Sequence, residues 1–223
     1  MGESVLYLGN QRYSSWSLRP WLVARKAGVP FVTRVVSLRD PAHEVFFQTV
    51  SPSGRVPLWV TETGLNIWDS LAIAEWLAEQ CPRLWPADPE ARAVARAVSA
   101  EMHSGFAALR TQCPMNLGRL GQCLQVTPQP DTARDLDRIA TIWRDCRERF
   151  GQSGPWLFGD FCIADAMFAP VAFRFNTYGV DCQGFAAEYM QTVLHDADVQ
   201  AWLHAAQQEQ ATIMSSEVGL TAQ

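Results

Sequence analysis

The chain has 223 residues and 48% of them are apolar, which is enough for one large domain or two small ones with a sizeable buried core. Its 18 basic and 23 acidic residues give a net charge of −5, which disfavours nucleic acid or an anionic membrane surface as a partner. The N-terminus lacks the pattern of a signal peptide and no segment approaches membrane-spanning length, so we expect a cytoplasmic protein.

The cysteines give no sign of a metal site or a disulfide framework. They are scattered, with no Cys-x-x-Cys pair and no histidine at ligand spacing. In a chain of this size and compartment we expect six free thiols. They are Cys81, Cys113, Cys123, Cys146, Cys162 and Cys182.

The first half of the chain alternates strand and helix patterns. The short apolar run Val5–Leu8 predicts a strand, Ser17–Ala27 a helix ended by Gly28, and Phe31–Val36 a second strand. A short helix over Ala42–Thr49 follows. Parallel pairing of the two strands needs a right-handed crossover, which the first helix supplies.

The next stretch predicts a strand, a hairpin partner and a helix. Pro57 cannot donate to a sheet ladder, so it must lie at an edge or in a turn. If the Val56–Pro57 bond is cis, the backbone of Val56 is free to pair with a peptide-like ligand. Asp69 and Ser70 open the helix Leu71–Glu79, whose first amides would hold a carboxylate. Each feature alone also has an ordinary explanation. Pro57 is then a trans proline in a turn, and Asp69 is a simple helix cap.

The second half predicts helices only. The turn-rich segment 81–90 is a linker, so the expected division is residues 1–80, the linker, and residues 91–223. We therefore predict an α/β thioredoxin-like domain followed by an all-α domain. Apolar residues three and four apart predict the following helices: Ala91–Arg110, Thr132–Phe150, Ile163–Phe175, Ala186–Leu194 and Val199–Glu209.

The loop after the first strand carries serines at the start of a helix. Hydroxyls there, in Ser14 and Ser15, can donate to an anion that the helix dipole already favours. Such a site would shift a ligand thiol, with an ordinary pKa near ~8.5, toward the thiolate that attacks electrophiles. Simple N-capping by one of these serines is the alternative interpretation.

These features together resemble the cytosolic glutathione S-transferases over nearly the whole chain. The segment Ser14-Ser15-Trp16-Ser17-Leu18-Arg19 resembles the Ser-Ser-Cys motif of the zeta class, the maleylacetoacetate isomerase relatives. The resemblance implies that Ser14 or Ser15 donates to the glutathione sulfur. Trp16 replaces the cysteine of that motif, so thiol exchange through this position is lost.

The resemblance also implies a glutathione site and a dimer, while the cysteine pattern above already disfavours a metal. Val56 would pair with the cysteinyl backbone, while Asp69 and Ser70 would hold the γ-glutamyl end. His43 or Gln48 falls near the glycine end, although a solvated surface role explains His43 as well. The residues implied for glutathione are Trp16, His43, Arg55, Val56, Pro57, Asp69 and Ser70. Members of the family are usually two-fold homodimers.

Two arginines are candidates for the second substrate. Arg174 resembles in position an arginine that zeta-type isomerases use toward a carboxylate, and Arg110 lies on the first long predicted helix. A planar guanidinium suits a carboxylate, although an ion pair across the domain interface explains either residue equally well. Tyr13 and Met115 are apolar candidates for the same pocket.

Three functions remain open. The first is addition of the glutathione thiolate to a small electrophile, giving transfer or cis–trans isomerisation, with a carboxylate-bearing substrate favoured by the arginines. The second is a glutathione-dependent peroxidase or reductase. The third is a non-catalytic binding protein with this fold, which the complete set of site residues disfavours.

The segment 154–165 resembles the family's turn into a central buried helix. Its capping box has Asp165 as usual, but Cys162 stands where the family has serine or threonine. Because a thiol is a poor acceptor, we expect this cap to be weakened.

Overall fold

A computed structural model describes residues 2–37, 45, 48–124 and 126–218 of the chain. The first half forms a mixed four-stranded sheet in the order β2-β1-β3-β4. β1 and β2 pair in parallel, with Val5 opposite Val32, while the other two pairings are antiparallel. The strands are β1 Val5–Leu8, β2 Val32–Val35, β3 Leu58–Val60 and β4 Asn66–Trp68.

Helix α1, Ser15–Ala27, makes the predicted crossover between β1 and β2. It begins two residues earlier than predicted because the Ser14 hydroxyl accepts a hydrogen bond from the Ser17 amide at 3.3 Å. It ends, as predicted, at Gly28, whose φ of 73° is the left-handed conformation that glycine adopts without steric cost. Pro20 lies inside this helix, beyond its first turn.

The hairpin of β3 and β4 leads into helix α2, Ser70–Gln80, for which Asp69 is the N-cap as predicted. The helix predicted over Ala42–Thr49 falls largely outside the described residues. Val45 and residues 48–50 are described and are helical.

The second half is helical, which confirms the predicted fold class. Its helices are α3 Pro89–Ser104, α4 Ala107–Gln112, α5 Pro130–Phe150, α6 Ile163–Tyr178, α7 Phe185–His195 and α8 Ala197–Gln208. The prediction of one continuous helix over Ala91–Arg110 is wrong. The chain breaks at Gly105 and Phe106, and Phe106 takes a positive φ of 60°. A side chain at Gly105 would lie 2.8 Å from the carbonyl oxygen of Glu101, so this position favours glycine.

Helix α1 is the element that joins the two halves. It packs against α2 on one side and against α6 on the other. Its apolar residues Leu18, Leu22 and Val23 are fully buried in this double contact. The N-terminus of α1 therefore lies where the two halves meet, which fixes the place of the serine loop.

A buried carboxylate fixes the turn into α6. Asp165 accepts hydrogen bonds from the amides of Leu157 and Cys162, at 3.1 and 2.8 Å, and from the Tyr189 hydroxyl at 3.0 Å. Cys162 holds the N-cap position of the predicted capping box. In this capping box, the hydrogen bond that the Asp165 carboxylate accepts is thus strong. The reciprocal bond is weak because its acceptor is the Cys162 thiol.

All six cysteines are free. Burial raises the pKa of the Cys113 thiol to about 11 and that of Cys146 to about 12, so both are protonated thiols at neutral pH. Among the described residues, no helix is both long and apolar enough to cross a membrane.

We expect the Cys162→Thr variant to have a free energy of unfolding higher by up to about 1 kcal/mol, because a hydroxyl completes the cap better than a thiol. Thermal denaturation measures this change. Since Cys162 is 2% exposed, the extra methyl of threonine must find room, and Cys162→Ser is the matched control without it. An unchanged or lower melting temperature in both variants would contradict the prediction.

Candidate functional site

A cleft of about 310 Å³ lies beside the N-terminus of α2. The segment that leads into β3 and the end of β4 form one wall, which we call the hairpin wall. The starts of α1 and α2 together with the end of α3 form the rest. Most glutathione-site residues implied by the sequence lie here. The lining residues are Trp16, Ser53, Arg55, Val56, Pro57, Trp68, Asp69, Ser70 and His103. His43 lies outside the described residues.

Two features of the cleft lie at positions that the sequence analysis singled out. The Val56–Pro57 peptide bond is cis. Asp69, with a positive φ of 78°, caps α2 by accepting from the amides of Leu71 and Ala72 at 2.8 and 3.2 Å through Oδ1. The Ser70 hydroxyl is buried and finds no hydrogen-bond partner within the described part of the chain. The start of α2 therefore offers a donor beside a carboxylate.

His103 is a cleft residue that the sequence analysis missed. Its Nε2 lies 2.7 Å from the second carboxylate oxygen of Asp69, and its ring meets Trp16 edge-on at 5.3 Å between centroids. A lone histidine near the end of a helix carries no local signal of this contact. Trp68, at the end of β4, and Ser53, in the segment before β3, also line the cleft and were not among the predicted site residues. A single tryptophan or serine carries no local signal of a cleft.

The two candidate serines are bonded differently. Ser14 is used within its own loop, because its hydroxyl accepts from the Ser17 amide and donates to Ser17 Oγ at 2.8 Å. Ser17 Oγ also accepts from the Gly9 amide at 3.0 Å. Ser15 Oγ instead accepts from Arg174 Nη2 at 3.2 Å. An accepting hydroxyl keeps its own proton for donation to a further group, and this holds for Ser15 rather than Ser14.

Arg174 is buried behind Ser15. It is 3% exposed, and its Nε donates to the carbonyl oxygen of Cys113 at 2.9 Å. Burial and the charge of Arg110 lower the pKa of Arg174 to about 10. Its Nη1 has no hydrogen-bond partner, and no carboxylate pairs with it among the residues that the structure describes. The alternative of an interdomain ion pair therefore finds no support in the described residues.

Arg110 lies on the short helix α4 rather than on the long helix predicted for it. Its Nη1 donates to the carbonyl oxygen of Met102 at 3.2 Å, and its guanidinium lies 5.3 Å from the centroid of the Trp16 ring. Burial lowers its pKa, while the charge of Asp135 acts in the opposite direction. Arg110 and Arg174 thus flank the serine loop from the helical half.

Tyr13 and Met115 are not among the residues that line the cleft, and neither are Ser14, Ser15, Arg110 and Arg174, which lie around Trp16 and the start of α1. The Tyr13 hydroxyl donates to Glu217 Oε1 at 2.8 Å, and the same carboxylate accepts from Asn116 and Arg119 at 3.0 and 3.1 Å. Met115 is 2% exposed and belongs to the main core.

Comparison with known proteins agrees with this architecture. Residues 13–80 match the glutathione S-transferase N-terminal domain family. Rat maleylacetoacetate isomerase is 31% identical over 188 residues, which cover 81% of this chain and 82% of that protein. A probable maleylacetoacetate isomerase of Caenorhabditis elegans is 35% identical over 185 residues, covering 80% of this chain and 82% of that protein.

A solved structure shows the same fold. A Burkholderia glutathione transferase homologue, crystallised with bound glutathione, superposes with a TM-score of 0.70 at 24% identity. The superposition covers 92% of this chain and 99% of that one. The sequence relatives and the shared fold together show that the chain belongs to the glutathione S-transferase family of enzymes and is related to its zeta-class maleylacetoacetate isomerases.

Proposed function

We propose that the cleft binds glutathione and that Ser15 stabilises its thiolate. The γ-glutamyl carboxylate accepts from the Ser70 hydroxyl and the free amides at the start of α2, a site that the helix dipole favours. Asp69 binds the γ-glutamyl ammonium while it keeps His103, since a carboxylate has about four acceptor sites. The cysteinyl backbone pairs with Val56 in the hairpin wall.

One observation carries the assignment of the serine. Arg174 donates to Ser15 Oγ at 3.2 Å, which leaves the Ser15 proton free and makes its hydroxyl a stronger donor. The Ser14 hydroxyl already donates its proton to Ser17 Oγ. A sulfur placed at Ser15 would therefore receive a hydrogen bond at the N-terminus of α1. Both effects stabilise the thiolate over the thiol.

The chemistry that this thiolate supports is addition to an activated double bond. The sulfur forms a bond to carbon, and the electron pair of the double bond moves to the activating carbonyl as an enolate. Rotation about the new single bond and expulsion of the thiolate gives the trans isomer, whereas protonation of the adduct completes a transfer. Arg110 lies 5.3 Å from the ring of Trp16, a cleft residue, and a guanidinium suits a carboxylate. We therefore propose that Arg110 binds a substrate carboxylate and that the substrate is a small acidic enone such as maleylacetoacetate.

Ser15→Ala and Ser14→Ala should affect different properties, the first the bound thiol and the second the stability of the fold. We expect Ser15→Ala to raise the pKa of the bound glutathione thiol toward its ordinary value of ~8.5 and to lower kcat/KM by roughly 10²-fold. Ser14→Ala should keep the thiolate but lower the free energy of unfolding by about 1 kcal/mol, because it removes a helix cap. Calorimetric titration of glutathione, ultraviolet absorbance of the thiolate and thermal denaturation measure these effects.

The outcomes separate the possible assignments. Loss of the thiolate signal in Ser14→Ala alone would transfer the role to Ser14. If the wild type does not bind glutathione at millimolar concentration, the proposal as a whole is contradicted. That result would favour the non-catalytic alternative.

Asp69→Asn should weaken glutathione binding without unfolding α2. Asparagine caps a helix about as well as aspartate, so the melting temperature should change little. The lost charge should raise the Kd for glutathione by roughly tenfold or more, since hydrogen bonds to charged groups contribute about 1.5–3 kcal/mol. Asp88→Asn is the matched control, because Asp88 caps α3 through the Ala91 amide and does not line the cleft. Equal Kd values for the two variants would contradict the role of Asp69.

Arg110→Met should discriminate between substrates. We expect the KM for maleylacetoacetate to rise at least about tenfold, because a guanidinium–carboxylate contact is lost. The KM for an uncharged electrophile, an aryl halide with nitro groups, should stay within about twofold. A parallel loss with both substrates would show that Arg110 supports the fold rather than the substrate carboxylate.

A further inference from the structure

Arg19 is a fully buried cation that has no hydrogen-bond partner in the part of the chain that the structure describes. It is 0% exposed, and none of its three guanidinium nitrogens finds a hydrogen-bond partner among the described residues. Buried charges in proteins are almost always paired, because removing a charge from water without compensation costs free energy. An arginine kept in this state calls for an explanation beyond packing.

The surroundings of Arg19 place it at the proposed reaction centre. It lies one helical turn after Ser15 on α1, and its guanidinium stacks on the Trp16 ring at 4.3 Å. Trp16 also lines the cleft, so one aromatic ring contacts both this cation and the space in which we propose that glutathione binds. The ring excludes water, and a charge in such surroundings is weakly screened.

The neighbouring charges add to the same positive field. Burial lowers the pKa of Arg19 well below its usual range, and the charges of Arg174 and Arg110 lower it further. Asp69 alone acts in the opposite direction. A guanidinium remains protonated at neutral pH even so. Two of these arginines, Arg19 and Arg110, lie over the Trp16 ring at 4.3 and 5.3 Å from its centroid. A carboxylate paired with Arg19 would cancel its field at the cleft.

We propose that Arg19 is an electrostatic positioning residue whose unpaired charge holds the sulfur of bound glutathione as the thiolate. This inference rests on the proposed function and extends it. Ser15 donates the hydrogen bond to the sulfur, and Arg19 supplies a fixed positive charge behind Trp16 without touching the ligand. The thiol proton leaves to solvent when glutathione binds. The unpaired charge lowers the free energy of unfolding, since an apolar side chain in the same space would avoid the cost of burying a charge.

Arg19→Met tests both halves of the proposal. The pKa of the bound thiol, followed by thiolate absorbance against pH in the complex with glutathione, should rise by about 1. The melting temperature of the free protein should also rise, because an uncompensated buried charge is replaced by an apolar side chain of similar length. If Arg19 were purely structural, Arg19→Met would lower the melting temperature and leave the pKa of the bound thiol unchanged.

Two further variants keep the test decisive. Arg25→Met removes the same charge from the same helix at a site paired with Asp198, and it should leave the thiol pKa unchanged. Arg19→Gln keeps a polar planar group and carries the same expectation for the thiol should Arg19→Met fail to fold. An unchanged thiol pKa in a folded Arg19 variant that binds glutathione overturns the inference while the role of Ser15 stands. A lower melting temperature for Arg19→Met contradicts the claim that the charge is uncompensated.

Discussion

The hydrogen bond between Arg174 and Ser15 is the contact on which the site depends. It joins residues 159 positions apart and exists because α1 is buried between α2 and α6. The apolar face of α1 brings Ser15 to the buried arginine, and the arginine decides which proton of the loop remains free. Packing of the two halves and chemistry of the cleft are therefore set by the same helix.

The site concentrates positive charge in an apolar interior. Arg19, Arg110 and Arg174 all approach the serine loop, and burial lowers the pKa of each. Such an arrangement opposes folding, since like charges repel and lose their hydration. The anionic ligand that we propose would relieve this cost, which would couple ligand binding to stability. Burial keeps the nearby Cys113 as a neutral thiol, so it adds no competing nucleophile.

Much of the fold followed from local patterns. Strand and helix periods, the glycine that ends α1 and the aspartate that caps α2 are properties of neighbouring residues, and the structure has them within a few positions. The main error was the helix over Ala91–Arg110. Its apolar spacing continues across Gly105 and Phe106, so the pattern gave no sign that Phe106 would take a left-handed conformation.

The sequence by itself determined the class of fold and the family, and it determined the parts of the cleft that are neighbours in the chain, such as Val56 with Pro57 and Asp69 with Ser70. Only the tertiary structure distinguished Ser14 from Ser15 and placed His103 against Asp69. A hydroxyl looks the same in a sequence whichever partner it has, and these partners lie tens to hundreds of residues away. Long-range packing decides which side chains contact each other, and the chemistry of the cleft depends on those contacts.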